Sequence, residues 1–206
     1  MPSARQQLLR LLAERSFRLG HFTLASGAVS DYYIDCRLTT LSAEGAHATG
    51  LAVLEEIRAR GWNPQAIGGL TLGADPIVVA VAVLSADASQ TDGRAAQPIH
   101  AFIVRKAEKQ HGTGQRIEGF QQKGARVVIV DDVCTTGAST IQAMAAARTA
   151  GMQVVGVICL VDREEQNGLA NVQQAAGNVP FVALFTAHDI RKEHERIGGS
   201  VDRVTG

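Results

Sequence analysis

Two apolar runs constrain this chain more than anything else in it. "RVVIVD" at 126–131 and "QVVGVICLVD" at 153–162 are almost continuous in valine and isoleucine, with no polar residue at alternate positions. A strand with one face in water alternates apolar and polar side chains, whereas a strand covered on both faces does not. Strands of the second kind build parallel sheets flanked by helices. The neighbouring segments fit that architecture. Strand-like "AIGGL" (66–70), "IHAFIVR" (99–105) and "PFVALF" (180–185) alternate with helical stretches at about 74–87, about 137–150 and about 164–176, as successive crossover units require.

Upstream, Leu8, Leu9, Leu11, Leu12, Phe17 and Leu19 recur at helical spacing behind a Ser3/Gln6 capping box, which predicts a helix over 3–19. "HFTLASG" and "SDYYIDCR" predict two short strands around a turn at Gly27. Ser42 to Arg60 is helical again, with Ser42 as N-cap and Gly61 just beyond the end. Two segments take no element: 87–97, a surface turn, and 106–125, "KAEKQHGTGQRIEGFQQKGA". Unstructured segments as long as the second are usually functional or disordered in compact domains, so it is a candidate lid. Trp62 with Pro64 reads as a surface plug.

The 206 residues suit one domain. Twenty basic side chains balance 20 acidic ones, so no global field draws the protein to nucleic acid or to a membrane surface. Cys36, Cys134 and Cys159 form no C-x-x-C pair and read as reduced thiols. The N-terminal leucines are broken by arginine and glutamate, and no apolar run approaches the roughly 18 residues of a membrane span. A cytoplasmic protein is expected. His21, His47, His100, His188 and His194 show no metal-ligand spacing and remain surface or packing residues.

The chemistry concentrates in "VVIVDDVCTTGAST", 127–140. In an open parallel sheet, ligands bind beyond the carboxyl ends of the strands, where Asp131 and Asp132 stand. The following threonines, glycine and serine open a helix, whose amides and dipole favour a phosphate. Neither a Walker A loop nor a dinucleotide fingerprint is present. Two readings fit these residues alone. The carboxylates could accept hydrogen bonds from vicinal sugar hydroxyls beside a held phosphate, or they could merely terminate the strand, with Thr136 as an N-cap. Cys134 has no partner base and reads as loop filler.

The whole 14-residue pattern resembles the phosphoribosyl-pyrophosphate (PRPP) signature of type I phosphoribosyltransferases. "RKAEKQHGTGQRIEG" (105–119) resembles the catalytic loop of the orotate phosphoribosyltransferases, with its R-K-x-x-K-x-H-G spacing intact, and "FTLASGAVSDYYIDCR" (22–37) resembles their orotate-binding segment. The resemblance implies a type I phosphoribosyltransferase-like parallel sheet flanked by helices, with a small N-terminal hood and a mobile catalytic loop. It implies a single domain over 1–206, with a helix and base-binding segment at 1–40 and a PRPP-binding core at 65–186.

It also implies roles for individual residues. Asp131 and Asp132 would hold the ribose hydroxyls and Thr135, Thr136, Gly137, Ala138 and Ser139 the 5-phosphate, with Val133 and Cys134 also in the PRPP-binding set. Thr71, Leu72 and Gly73 would turn backbone N–H groups to the pyrophosphate. Arg105, Lys106, Lys109 and His111 would neutralise the leaving group. Orotate would meet Thr135, Arg163, Tyr33, Ile34 and the Ala25 position, where some members carry lysine; Arg163 could equally be a solvated helix-start residue, and Tyr32 could be hairpin packing. Mg²⁺ would be bound mainly through PRPP, with no dedicated protein cage. Orotate, PRPP and a second copy of the chain are the implied partners. A purine-specific enzyme of the same fold lacks this loop pattern, and a PRPP-sensing regulator would need a nucleic-acid-binding element that the sequence does not carry.

Overall fold

The computed structural model describes residues 2–23, 29–91, 97–107 and 116–198. The chain begins with α1 (Ala4–Leu11), which carries the expected Ser3/Gln6 reciprocal cap. A π-helical turn (Leu12–Ser16) then leads into β1 (Phe17–Thr23), β2 (Val29–Ile34), the short α2 (Arg37–Thr40) and α3 (Ala43–Ala59). There follow β3 (Ala66–Leu70), α4 (Asp75–Thr91), β4 (His100–Val104), β5 (Ile117–Gly119) and β6 (Arg126–Cys134). The chain continues through α5 (Ala138–Thr149), β7 (Gln153–Asp162), α6 (Gly168–Ala176), β8 (Phe181–Thr186) and α7 (Ala187–Arg196).

Six strands form one sheet in the order β5-β4-β3-β6-β7-β8. Strands β4, β3, β6, β7 and β8 are parallel, and β5 runs antiparallel to β4 at the edge. The sheet is therefore mixed, where the sequence predicts a parallel one. The unpredicted β5 lies inside the 106–125 segment and is only three residues long, too short for a period to register. β1 and β2 pair separately as an antiparallel hood, with Phe17 opposite Ile34.

The valine runs are continuous because both faces are buried. Val128 and Val130 enter one apolar cluster with residues of α1, α3, α4 and α7, while Val127 and Ile129 enter a second with residues of α5 and α6. Burying a side chain of this size stabilises by about 1.5–3 kcal/mol, so each central strand gains on both sides. The chain end of β6 is thereby held between β3 and β7, at the middle of the sheet.

Several boundaries differ from those the sequence predicts. The first helix stops at Leu11, and Phe17 and Leu19 belong to a strand. Ser16 explains the change: its buried hydroxyl shares a 2.7 Å hydrogen bond with Thr39, and its carbonyl accepts from the Asp35 N–H at 3.0 Å, which draws the chain out of the helix. α4 runs on through Thr91, so the predicted turn at 87–97 is helical at its start. β6 continues to Cys134. Cys134 is thus a buried strand residue and not loop filler. α6 begins at Gly168, because Glu164, Gln166 and Asn167 take positive φ and cannot join a helix. Trp62 is buried against Gly156, where a Cβ would stand 2.4 Å from the indole, so it is core and not a surface plug. No helix among the described residues is long and apolar enough to cross a membrane.

Candidate active site

Extension of β6 past Asp131 carries the acidic pair to the carboxyl edge of the sheet. Asp131 is 5% exposed. Its Oδ2 accepts from Thr140 Oγ1 at 2.8 Å, and its Oδ1 accepts from the Asp132 N–H at 3.2 Å. Burial, then the charge of Asp132, push its pKa up to about 7. Asp132 is also raised, by burial, while the Val133 N–H on its Oδ1 at 2.9 Å and nearby Arg37 pull the other way. Two carboxylates held this close resist ionising together. A donor arriving between them, or a cation, would relieve that conflict.

Space for such a ligand exists. A cavity of about 270 Å³ opens over the pair. Tyr33 and Ile34 from the hood form one wall, Thr71, Leu72 and Gly73 another, and Lys106 and Ser139 also face it. Gly73 is required by close approach: a Cβ there would lie 2.2 Å from Asp132 Oδ1. The edge of β3 can therefore come down onto the carboxylates only without a side chain at this position.

Other predicted residues lie around this cavity. Val133 lines it, and Gly137, with φ of 78°, is the N-cap of α5 and supplies no side-chain cap. Thr136 is consequently not the N-cap, although its Oγ1 accepts from the Ala138 N–H at 3.3 Å. The 135–139 turn thus directs the opening of α5 toward the edge that bears the acidic pair. The N–H of Thr71 is not available to a ligand: it donates to Val104 O at 2.9 Å, adding one rung to the β3–β4 pairing. Thr135 and Arg163 are not part of the cavity wall, and Arg105 pairs with Glu118 at 3.3 Å. Arg163 lies buried behind Tyr32 of the hood. Ala25, Lys109 and His111 lie outside the described residues, as does the turn at Gly27.

The structure adds Asp35, Cys36 and Arg37 to the cavity wall. Arg37 grips Asp35 through Nε and Nη2 at 2.9 and 2.8 Å, holding that carboxyl below its usual range, and leaves a guanidinium beside Asp132. Their signal was position: they directly follow the Tyr33–Ile34 pair in "SDYYIDCR". The Cys36 thiol is pushed up by burial and by Asp132, so it is a poor nucleophile.

Among the described residues no group of three or more His, Cys, Asp or Glu side chains is arranged to hold a metal ion. The oxygen donors that face the cavity do suit a hard cation shared with a polyphosphate ligand.

A parallel strand ending in one buried and one half-buried carboxylate, with a turn into a helix beside it, fits a phosphoribosyl transferase domain, and the family model of that description matches residues 54–172. Orotate phosphoribosyltransferase of Aquifex aeolicus is 40% identical over 189 residues, covering 90% of this chain and 97% of the relative. The Synechocystis enzyme of the same name is 44% identical over 197 residues, covering 95% and 93%. The crystal structure of Mycobacterium tuberculosis orotate phosphoribosyltransferase in complex with PRPP superposes with a TM-score of 0.70 at 34% identity, covering 91% of this chain and 99% of that one. This chain belongs to the orotate phosphoribosyltransferase family.

The raised Asp131 pKa has a measurable consequence. Because the folded value of about 7 exceeds the 3.8 of a free aspartate side chain, the ionised carboxylate destabilises the fold above pH 7, and the penalty fades as pH falls toward 3.8. Asp131→Asn should therefore raise thermal stability at pH 8, by about 1–3 kcal/mol, and the gain should shrink by pH 5. Differential scanning calorimetry at the two pH values checks this; a gain that grows toward acid would contradict the assignment.

Proposed function

We propose that this chain transfers the 5-phosphoribosyl group of PRPP to orotate, giving orotidine 5′-monophosphate and pyrophosphate in pyrimidine nucleotide synthesis. The observation that carries this reading is the Asp131–Asp132 pair, the first buried and the second half-buried, lining a cavity walled by the hood. Hydrogen-bond donors are what such a pair needs, and the vicinal hydroxyls of ribose supply them. The 135–139 turn takes the 5-phosphate on the amides that open α5. Leu72 and Gly73 border the pyrophosphate.

Bond cleavage sends negative charge onto the leaving group. Lys106 stands on the cavity wall, and in this reading Lys106, Arg105, Lys109 and His111 neutralise the leaving group. Tyr33 and Ile34 on the cavity wall receive the pyrimidine, and Thr135 and Arg163, which stand behind that wall, complete its recognition, with Arg163 answering its carboxylate. Mg²⁺, bound mainly through PRPP, would supply charge neutralisation of the leaving group. In this reading residues 1–206 act as one domain, the hood (1–40) closing over the core (65–186). Three free, buried cysteines support a reducing compartment, the cytoplasm.

The active form is a homodimer. Leu38, Leu41, Val79 and Val83 are exposed along α2, its C-terminal end and α4, and a groove of about 400 Å³ runs between Leu41, Pro76 and Val79. An exposed apolar groove can mark a protein–protein contact, and self-complementary two-fold pairing is the commonest way to cover one.

Two measurements test these statements. Purified protein with PRPP and Mg²⁺ should consume orotate but not uracil, adenine or hypoxanthine. A chelator should stop the reaction, and Lys109→Ala should lower kcat by about two orders of magnitude. Absence of orotate turnover while PRPP still binds would overturn the acceptor assignment. In sedimentation velocity the protein should run as a dimer, and Leu41→Asp with Val79→Asp should shift it toward monomer; an unchanged monomeric species in the parent would refute the pairing.

A further inference from the structure

Arg163 is an unusual residue even within this site. It is 6% exposed, yet no carboxylate meets it in a close fork. Its Nη2 reaches Glu165 Oε1 at 3.3 Å and Ser30 Oγ at 3.5 Å, both long, and its Nε is buried without a partner. A buried guanidinium left this short of acceptors is costly unless something else holds it or a ligand completes it.

Tyr32 is what holds it. The guanidinium carbon lies 4.8 Å from the centre of the Tyr32 ring. The phenol donates a 2.7 Å hydrogen bond to the same Glu165 Oε1 that accepts from Arg163. One carboxylate oxygen therefore ties the tip of the tyrosine to the arginine that rests on its ring. The ring is itself fixed, stacked on Phe17 with centroids 5.6 Å apart, and Arg191, paired to Asp31 at 2.6 Å, lies 5.4 Å from its centre. Burial and the Glu165 bond push the phenol up to about 12, so it stays a donor throughout the working pH range. At the other end, the Arg163 N–H donates to Cys134 O at 3.0 Å, which anchors the backbone to the end of β6.

We infer that Tyr32 is a positioning residue for Arg163: its ring and its hydroxyl, through Glu165, hold the guanidinium with unfilled donors ready for the carboxylate of the pyrimidine acceptor. Tyr32 itself does not touch substrate. The inference rests on the reading in which Arg163 receives that carboxylate. It assigns the two adjacent tyrosines different work, Tyr33 facing the cavity and Tyr32 the arginine behind the hood.

Steady-state kinetics on Tyr32→Phe, Tyr32→Leu, Arg163→Ala and the Tyr32→Phe/Arg163→Ala double variant tests it. Loss of the hydroxyl should raise KM for orotate by about three- to tenfold, as for one hydrogen bond in a charged network. Loss of the ring in Tyr32→Leu should raise it further, while KM for PRPP and kcat stay within about twofold in Tyr32→Phe. In the Arg163→Ala background Tyr32→Phe should have no further effect on orotate KM. If Arg163→Ala raises orotate KM but Tyr32→Phe does not, the positioning role is wrong and the carboxylate assignment stands. An equal Tyr32→Phe effect in both backgrounds, or a parallel rise in PRPP KM, would mark a merely structural tyrosine and overturn the inference. An unchanged orotate KM in Arg163→Ala would overturn both.

Discussion

Two adjacent carboxylates at the end of a central strand, Asp131 buried and Asp132 half-buried, set the terms for the rest of this molecule. Burial raises the pKa of both Asp131 and Asp132, and the charge of Asp132 raises that of Asp131 further. Such an arrangement survives only if the surrounding fold is stable enough to hold it and if function needs it. The stability comes from β6, whose valines and isoleucine are buried in both apolar clusters and which is flanked by β3 and β7. The partial compensation comes from Thr140, from backbone amides and from Arg37.

The other walls follow from that placement. β3 ends beside β6, and its continuation reaches the carboxylates only because residue 73 lacks a side chain. The hood hangs over the same edge because the chain leaves α1 through a π-helical turn at Ser16, whose hydroxyl is tied to Thr39. Phe17 then packs on both Tyr32 and His194, joining the hood to α7. A residue far from the chemistry in sequence, Tyr32, thereby meets Arg163 across 131 positions.

The sheet was legible because double-sided burial writes itself as an unbroken apolar run, and the boundaries of β3 and β7 match the residues those runs span. The acid pair was legible because charge directly after such a run has little structural use. Less visible were features that depend on single hydrogen bonds or on distant contacts. The spacing of Leu8, Leu12 and Leu19 fits one long helix, and nothing local reports that Ser16 will break it. α7 is opened by a Thr186/Asp189 reciprocal cap that a search for glutamate or glutamine at the third position passes over. Positive φ at Glu164, Gln166 and Asn167 delays α6, and of these only Asn167 is of a type that takes that conformation readily. Arg37 escaped notice because its place on the cavity wall depends on how the hood meets the core.

The role of the acid pair is open to a direct measurement: the affinity of the protein, with Mg²⁺ present, for PRPP and for its 2-deoxy and 3-deoxy counterparts. If Asp131 and Asp132 accept from the ribose hydroxyls, removal of a hydroxyl should weaken binding by about ten- to a hundredfold, and Asp→Asn replacement of its partner should largely erase the difference. Equal affinity for all three ligands would mean that the carboxylates at the end of β6 do not read the ribose.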